Sequence, residues 1–178
     1  MLFEYIKGKV IDTFADKVII EVGGIGYRIH STINSTAELK KGDIVTIYTH
    51  FVIKEDEMNL YGFINKEELH MFQQFITVSR IGPKLAVSIL SAYTPQKLAS
   101  YILNNDINSI SKANGVGKRT AERIIVELKD KVKHYQFEQN DIESIEDIGR
   151  SYEALDALIT LGYSKQEAKS ALRSIEND

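Results

Sequence analysis

The feature that most constrains this chain is an internal repeat. Ile81-Gly82-Pro83-Lys84-Leu85-Ala86-Val87-Ser88-Ile89-Leu90 aligns with Val116-Gly117-Lys118-Arg119-Thr120-Ala121-Glu122-Arg123-Ile124-Ile125 at an offset of 35 residues. The copies share an apolar residue, a glycine, a basic residue one or two positions later, an alanine, and an isoleucine followed by a second apolar residue. A period of this length points to a duplicated supersecondary unit. In the downstream copy Gly115 and Gly117 close a tight turn, and a helix with basic residues in its first turn follows. Glycine lets the backbone approach another molecule with no Cβ in the way. A helix start offers N–H groups and a partial positive charge to an anion. Lys118 and Arg119 add full charges at the same place, as Lys84 does beside Gly82.

An ordinary tight connection before a solvated helix would show the same local residues once. Two copies favour a phosphate grip, and the unit looks like a helix-hairpin-helix, a motif that holds DNA backbones without reading sequence. Arg80, Gly82, Lys84, Gly115, Gly117, Lys118, Arg119 and Arg123 are the candidate DNA-binding residues. The net charge of −3 argues against a nucleic-acid partner until it is divided along the chain. Residues 65–137 carry 11 basic and 6 acidic side chains, so the segment holding both glycine turns is net +5. Residues 1–64 are net −2 and residues 138–178 net −6. A basic middle is the footprint of a phosphate-binding face.

Residues 1–64 read as β. Phe3 to Thr13, Lys17 to Val22, Gly26 to Ser31, Ile44 to Ile53 and Met58 to Phe63 are rich in β-branched and aromatic residues, with turns at Asp16, Gly23-Gly24 and Lys41-Gly42-Asp43. Ser35-Thr36-Ala37-Glu38 has capping-box spacing for one short helical turn. Five short strands with one helical interruption suit an oligonucleotide-binding (OB) type barrel; an SH3-like barrel has compatible spacing. From Asn65 the period becomes helical. Leu69, Phe72, Phe75-Ile76 and Ser79 lead into the first glycine turn, and Leu85, Ile89 and Leu90 continue beyond it. Leu98 and Tyr101-Ile102 form a third helix, Ile107 and Ile110 a short one, and Thr120 to Val132 a longer one burying Ala121, Ile124-Ile125 and Leu128.

Residues 138–149 form a polar, acidic linker expected to be flexible. Residues 150–178 read as two helices around Leu161-Gly162-Tyr163, with Ser164-Lys165-Gln166-Glu167 as a capping box. Their one-sided apolar pattern resembles a small ubiquitin-associated-type module, whose usual partner is protein. The fold expected is α+β and multidomain: a five-stranded OB-type barrel over 1–64, an all-α tandem helix-hairpin-helix domain over 65–137, the linker, and the helical module. The sequence has no cysteine, which excludes disulfides and thiolate metal sites and fits a reducing cytoplasm. Four scattered histidines do not suggest a metal site, no apolar run is of membrane-spanning length, and the N-terminal residues do not read as a secretory signal. No cofactor is expected.

The chain as a whole resembles the RuvA family, the junction-binding subunits of the bacterial Holliday junction branch migration complex. The resemblance rests on Val22-Gly23-Gly24-Ile25-Gly26-Tyr27, on Glu55-Asp56 followed by Leu60-Tyr61-Gly62-Phe63, and on Ile81-Gly82-Pro83-Lys84. Gly115 through Arg123 and Ala157-Leu158-Ile159-Thr160-Leu161-Gly162-Tyr163 complete it. It implies a non-enzymatic subunit that binds four-way junction DNA as a homotetramer, or as two facing tetramers, and works with the RuvB ATPase and the RuvC resolvase. By the same resemblance Glu55 and Asp56 correspond to an acidic pin near the junction centre. Leu155, Leu158, Leu161, Gly162 and Tyr163 fall in the ATPase-docking domain. The sequence departs from the family twice. Arg80 stands where a second glycine is common, and the tail ends at Glu176-Asn177-Asp178 where members generally continue into a third helix.

Two other classes compete on the residues alone. A repair enzyme built on the same hairpins needs a catalytic Lys/Asp pocket or clustered carboxylates, whereas the acidic groups here fall on a hairpin tip and in a linker. A single-strand-binding barrel needs exposed aromatic stacking platforms, whereas most aromatics here read as buried. The sequence lacks a Gly-x-x-x-x-Gly-Lys-[Ser/Thr] loop, so ATP hydrolysis is expected in a partner.

Overall fold

The computed structural model describes residues 3–53 and 57–133, together with Leu158. The chain divides into two compact units, Met1–Phe137 and Glu138–Asp178. In the first, five strands precede a set of helices. These strands are β1 (Tyr5–Phe14), β2 (Lys17–Val22), β3 (Ile25–His30), β4 (Ile44–Ile53) and β5 (Met58–Phe63). They close a barrel in the order β1-β2-β3-β5-β4, antiparallel throughout except for β3 against β5. That parallel closure, with helix α1 (Ile33–Ala37) between β3 and β4, is the OB arrangement and removes the SH3-like alternative. Alternation explains the interior: Ile6 and Val10, Val18 and Ile20, Ile29 and Ile47 point inward and are buried. The closing seam is narrow. His30 is registered with Tyr61, Ser31 Oγ donates to the Gly62 carbonyl at 2.6 Å, and a Cβ on Gly62 would meet Ile47 and Ile29 methyls at 2.5 and 2.6 Å. Only glycine fits there.

The helices are α2 (Lys66–Thr77), α3 (Pro83–Ala92), α4 (Pro95–Leu103), α5 (Ile107–Ile110) and α6 (Lys118–Leu128). Their core does not stop at the barrel. Tyr61 and Phe63 of β5 lie in the same buried cluster as Phe72, Phe75, Ile89, Leu98 and Ile124. The Phe72 ring stacks on Tyr61 at 5.2 Å and sits 5.1 Å from Phe63. A second, polar joint lies alongside. Thr32 and Ser35 each donate a hydroxyl hydrogen bond to the buried Glu68 carboxylate, both at 2.5 Å. Their oxygens in turn accept from the Ser35 and Ile64 N–H groups at 3.1 Å. Burial raises the Glu68 pKa above the usual glutamate range, a shift the two hydroxyls oppose.

Three boundaries differ from the sequence reading. The turn at 33–37 is capped by Thr32 rather than begun at Ser35, because the Ser35 hydroxyl is engaged by Glu68 and Ile64. Helix α2 ends at Thr77, so Ser79 lies in the turn instead of on the helix. Helix α6 begins at Lys118, since Gly117 is its N-cap, and ends at Leu128; the Val132 N–H still bonds the Leu128 carbonyl at 3.0 Å. The linker 138–149 lies outside the described residues, as does the helical module except Leu158, which is helical and half-buried.

Candidate nucleic-acid interface

The repeat is closer in space than in sequence. Gly82, the N-cap of α3, has φ −87° and ψ 168°; Gly117, the N-cap of α6, has φ −89° and ψ 167°. Before each glycine the same turn bond forms, Ile81 N–H to Val78 carbonyl and Val116 N–H to Ala113 carbonyl, both 3.0 Å. After each, Ala86 N–H bonds the Gly82 carbonyl and Ala121 N–H the Gly117 carbonyl, again at 3.0 Å. The residue two before each glycine is left-handed, Arg80 at φ 67° and Gly115 at φ 83°. Arg80 therefore keeps the turn geometry, although a non-glycine residue in that region costs roughly 1–2 kcal/mol.

Among the described residues, these two helix starts differ from the other four. Thr32, Asn65, Thr94 and Asp106 cap α1, α2, α4 and α5 with side-chain oxygens. Neither Gly82 nor Gly117 supplies a cap, so the first N–H groups of α3 and α6 have no side-chain acceptor from that position. Nor does the fold require glycine at either place. The backbone angles suit any residue, and a Cβ would meet nothing within 4 Å. The empty space at both glycines is where a phosphodiester backbone can come close.

The candidate side chains separate into two groups. Arg80, Lys84, Lys118 and Arg119 are exposed and form no ion pair among the described residues. Arg123 is half-buried, and its Nη1 donates to the Ser79 carbonyl at 3.1 Å. Other cations of the basic segment are tied into the fold. Lys129 and Lys131 donate to Asn105 and Thr77 at 2.9 and 3.0 Å, and Lys66 lies over the Tyr48 ring at 5.5 Å. Lys112, exposed at the entrance to the second turn, is a candidate that the sequence reading missed; only its distance of three residues from Gly115 signals it.

The first hairpin faces the β4–β5 hairpin. A cavity of about 250 Å³ is lined by Val52, Glu57, Asn59, Tyr61, Gly82, Pro83 and Lys84. Ile53 pairs with Met58 at the end of the two strands. Glu55 and Asp56, between β4 and β5 in sequence, lie outside the described residues, as do Leu155, Leu161, Gly162 and Tyr163. Among the described residues no group of three or more His, Cys, Asp or Glu side chains could hold a metal, and no helix is long and apolar enough to cross a membrane.

An OB-type barrel mounted on two matched, uncapped, glycine-started helices defines a DNA-binding protein of the tandem helix-hairpin-helix class. Residues 2–62 match the RuvA N-terminal domain, residues 72–130 the SAM-like helix-hairpin-helix tandem, and residues 150–178 the RuvA C-terminal domain. The chain is 56% identical over 176 residues to a curated Alkaliphilus oremlandii protein named Holliday junction branch migration complex subunit RuvA, covering 99% of this chain and 91% of that one. A protein of the same name from Alkaliphilus metalliredigens is 50% identical over the same shares. One from Clostridium botulinum strain 657 is 40% identical over 181 residues, covering 99% of this chain and 92% of the relative. The chain belongs to the RuvA family.

Proposed function

We propose that this protein is the Holliday junction-binding subunit of a branch migration complex, non-catalytic itself and acting with a RuvB-type ATPase motor. The observation that carries the proposal is the pair of superimposable glycine-started helix N-termini, both uncapped and open to solvent. Main-chain N–H groups and flanking cations grip phosphates irrespective of base sequence, which suits a protein acting on any recombining DNA. Arg80, Lys84, Lys118 and Arg119 are the proposed phosphate contacts at Gly82, Gly115 and Gly117.

A homotetramer with fourfold symmetry presents two clamps to each of four equivalent arms; a second tetramer facing the first would enclose the junction, and the RuvC resolvase would join the same complex. Glu55 and Asp56, which follow β4 in sequence, would gather at the centre and repel phosphates, keeping strands apart without acting as catalytic acids. The domain limits 1–64, 65–137, 138–149 and 150–178 and a cytoplasmic location complete the proposal. The last segment, with Leu155, Leu158, Leu161, Gly162 and Tyr163, would dock the motor.

The test is a gel-shift comparison of four-way junction, duplex and single-stranded DNA across a salt series. Junction binding should be tightest and fall steeply with salt, by a slope of about −0.9 per phosphate neutralised. Equal affinity for the three DNAs would sink the proposal. Neutralising both Glu55 and Asp56 should alter junction binding or branch migration; no change in either would remove the pin assignment alone.

A further inference from the structure

The two hairpins are held together by a reciprocal set of bonds. Arg123 Nη1 on α6 donates to the carbonyl of Ser79 in the first turn at 3.1 Å. Ser88 Oγ on α3 donates to the carbonyl of Asn114 in the second turn at 3.0 Å. At the 35-residue offset Ser88 is the counterpart of Arg123, and Ser79 the counterpart of Asn114. Each hairpin's helix therefore grips the other's turn from the same position onto the same atom. The first turn is held twice, because its Ser79 N–H donates to Glu127 Oε2 at 3.2 Å. Glu127 lies one helical turn beyond Arg123, so the pair takes both main-chain groups of Ser79. The second turn is also pressed onto α3, since a Cβ on Gly115 would meet Leu85 Cδ1 at 3.0 Å.

We infer that Arg123, Glu127 and Ser88 are positioning residues that fix the spacing and angle between the two phosphate clamps. The gripped residues stand three positions before Gly82 and Gly117, so a shift of either turn moves the N–H groups that meet phosphate. Two clamps on one rigid mount can engage two phosphates of one duplex only at a set separation, and looseness there is lost affinity. A phosphate-contacting role for Arg123 fits less well. One guanidinium nitrogen is already committed to a carbonyl inside the protein, and an acidic side chain is bound to the same residue.

The inference rests on the DNA-binding reading above, and Glu127 separates the two. On charge alone, removing an acidic side chain from a basic face tightens DNA binding. With full-length protein and a four-way junction, Glu127→Ala should instead weaken binding roughly three- to tenfold, as expected for a lost coupling between neighbours. Glu127→Gln, which keeps an acceptor oxygen without the charge, should bind at least as tightly as wild type. Arg123→Ala should weaken binding without flattening the salt dependence, whereas loss of a direct phosphate contact lowers the slope by about 0.9. The Arg123→Ala/Glu127→Ala double variant should be no worse than the weaker single. Glu127→Ala binding as tightly as Glu127→Gln would overturn the inference. Should Glu127→Ala fail to fold, the uncharged Ser88→Ala change decides: roughly two- to threefold weaker binding at unchanged salt slope supports the brace, and wild-type affinity refutes it. Wild-type protein that does not prefer the junction would instead refute the functional reading.

Discussion

The two hairpins share a backbone and differ in what occupies its strained position. At Gly115 both φ and space call for glycine, since φ is 83° and Leu85 lies where a Cβ would go. At Arg80 only φ does, at 67°, and an arginine is accommodated. The turn thus takes its shape from the bonds around it rather than from its residue, and the first copy accepts local strain with a cation in the turn. The copies also differ in mounting. Helix α2, which enters the first hairpin, is bolted to the barrel through Phe72 and Glu68. Helix α5, which enters the second, has four residues and its own Asp106 cap.

The strongest way to break the equivalence is to fill the open glycines. Gly82→Val and Gly117→Val should leave the melting temperature within a few degrees of wild type, because each Cβ enters empty space at permitted angles. Together they should weaken junction binding about a hundredfold, ~2.7 kcal/mol, the scale of losing charge-assisted hydrogen bonds at both clamps. Matched clamps predict similar losses from each single change; one silent and one severe would show that the hairpins are not equivalent.

The mounting difference is tested at Glu68. Glu68→Ala leaves the Thr32 and Ser35 hydroxyls without their acceptor and should cost about 1–3 kcal/mol in denaturant unfolding. The sign of its pH effect follows from the raised pKa. Between the ordinary glutamate pKa and the raised one, the folded chain holds more protons than the unfolded chain, so stability falls as pH rises through that window. Glu68→Gln lacks this loss, and its melting temperature should gain on wild type as pH rises above the ordinary glutamate range.

Smaller effects sharpen the turn comparison. Gly115→Ala should destabilise by about 1–2 kcal/mol, from left-handed strain and the Leu85 contact. Arg80→Gly should stabilise by roughly 0.5–1 kcal/mol while weakening DNA binding modestly. A stability loss on Arg80→Gly would mean that the arginine side chain holds the turn.

Much of this was legible in the sequence because it is carried by periodicity and by glycine. All five strands fall where β-branched and aromatic residues cluster, and both glycine-started helices fall at the repeat. What was not legible depends on long-range partners. Asn65-Lys66-Glu67-Glu68 has a capping pattern, and Asn65 does accept from the Glu68 N–H at 2.7 Å, but no local rule sends the Glu68 side chain to Thr32 and Ser35. Arg123 reads from sequence as one more cation in a basic helix; only the fold brings it to Ser79. A clue existed in the alignment of Ser88 with Arg123, polar residues at the same place in both copies. Choosing OB over SH3-like topology likewise needed the parallel β3–β5 pairing, which residue spacing does not encode.

The continuity of the aromatic core across β5 and α2 has a consequence for how the chain assembles. Strand β1 pairs with β4, from Tyr5↔Tyr48 to Lys9↔Ile44, and β3 meets β5 at His30↔Tyr61, so the barrel cannot close until about a third of the chain has been made. Closure still leaves Tyr61 and Phe63 without Phe72. A nascent chain halted after the last strand would show these rings to its surroundings. Emergence of α2 is therefore the moment at which the barrel stops being adhesive, and the helix that leads into the first glycine turn also serves as the stopper of the barrel.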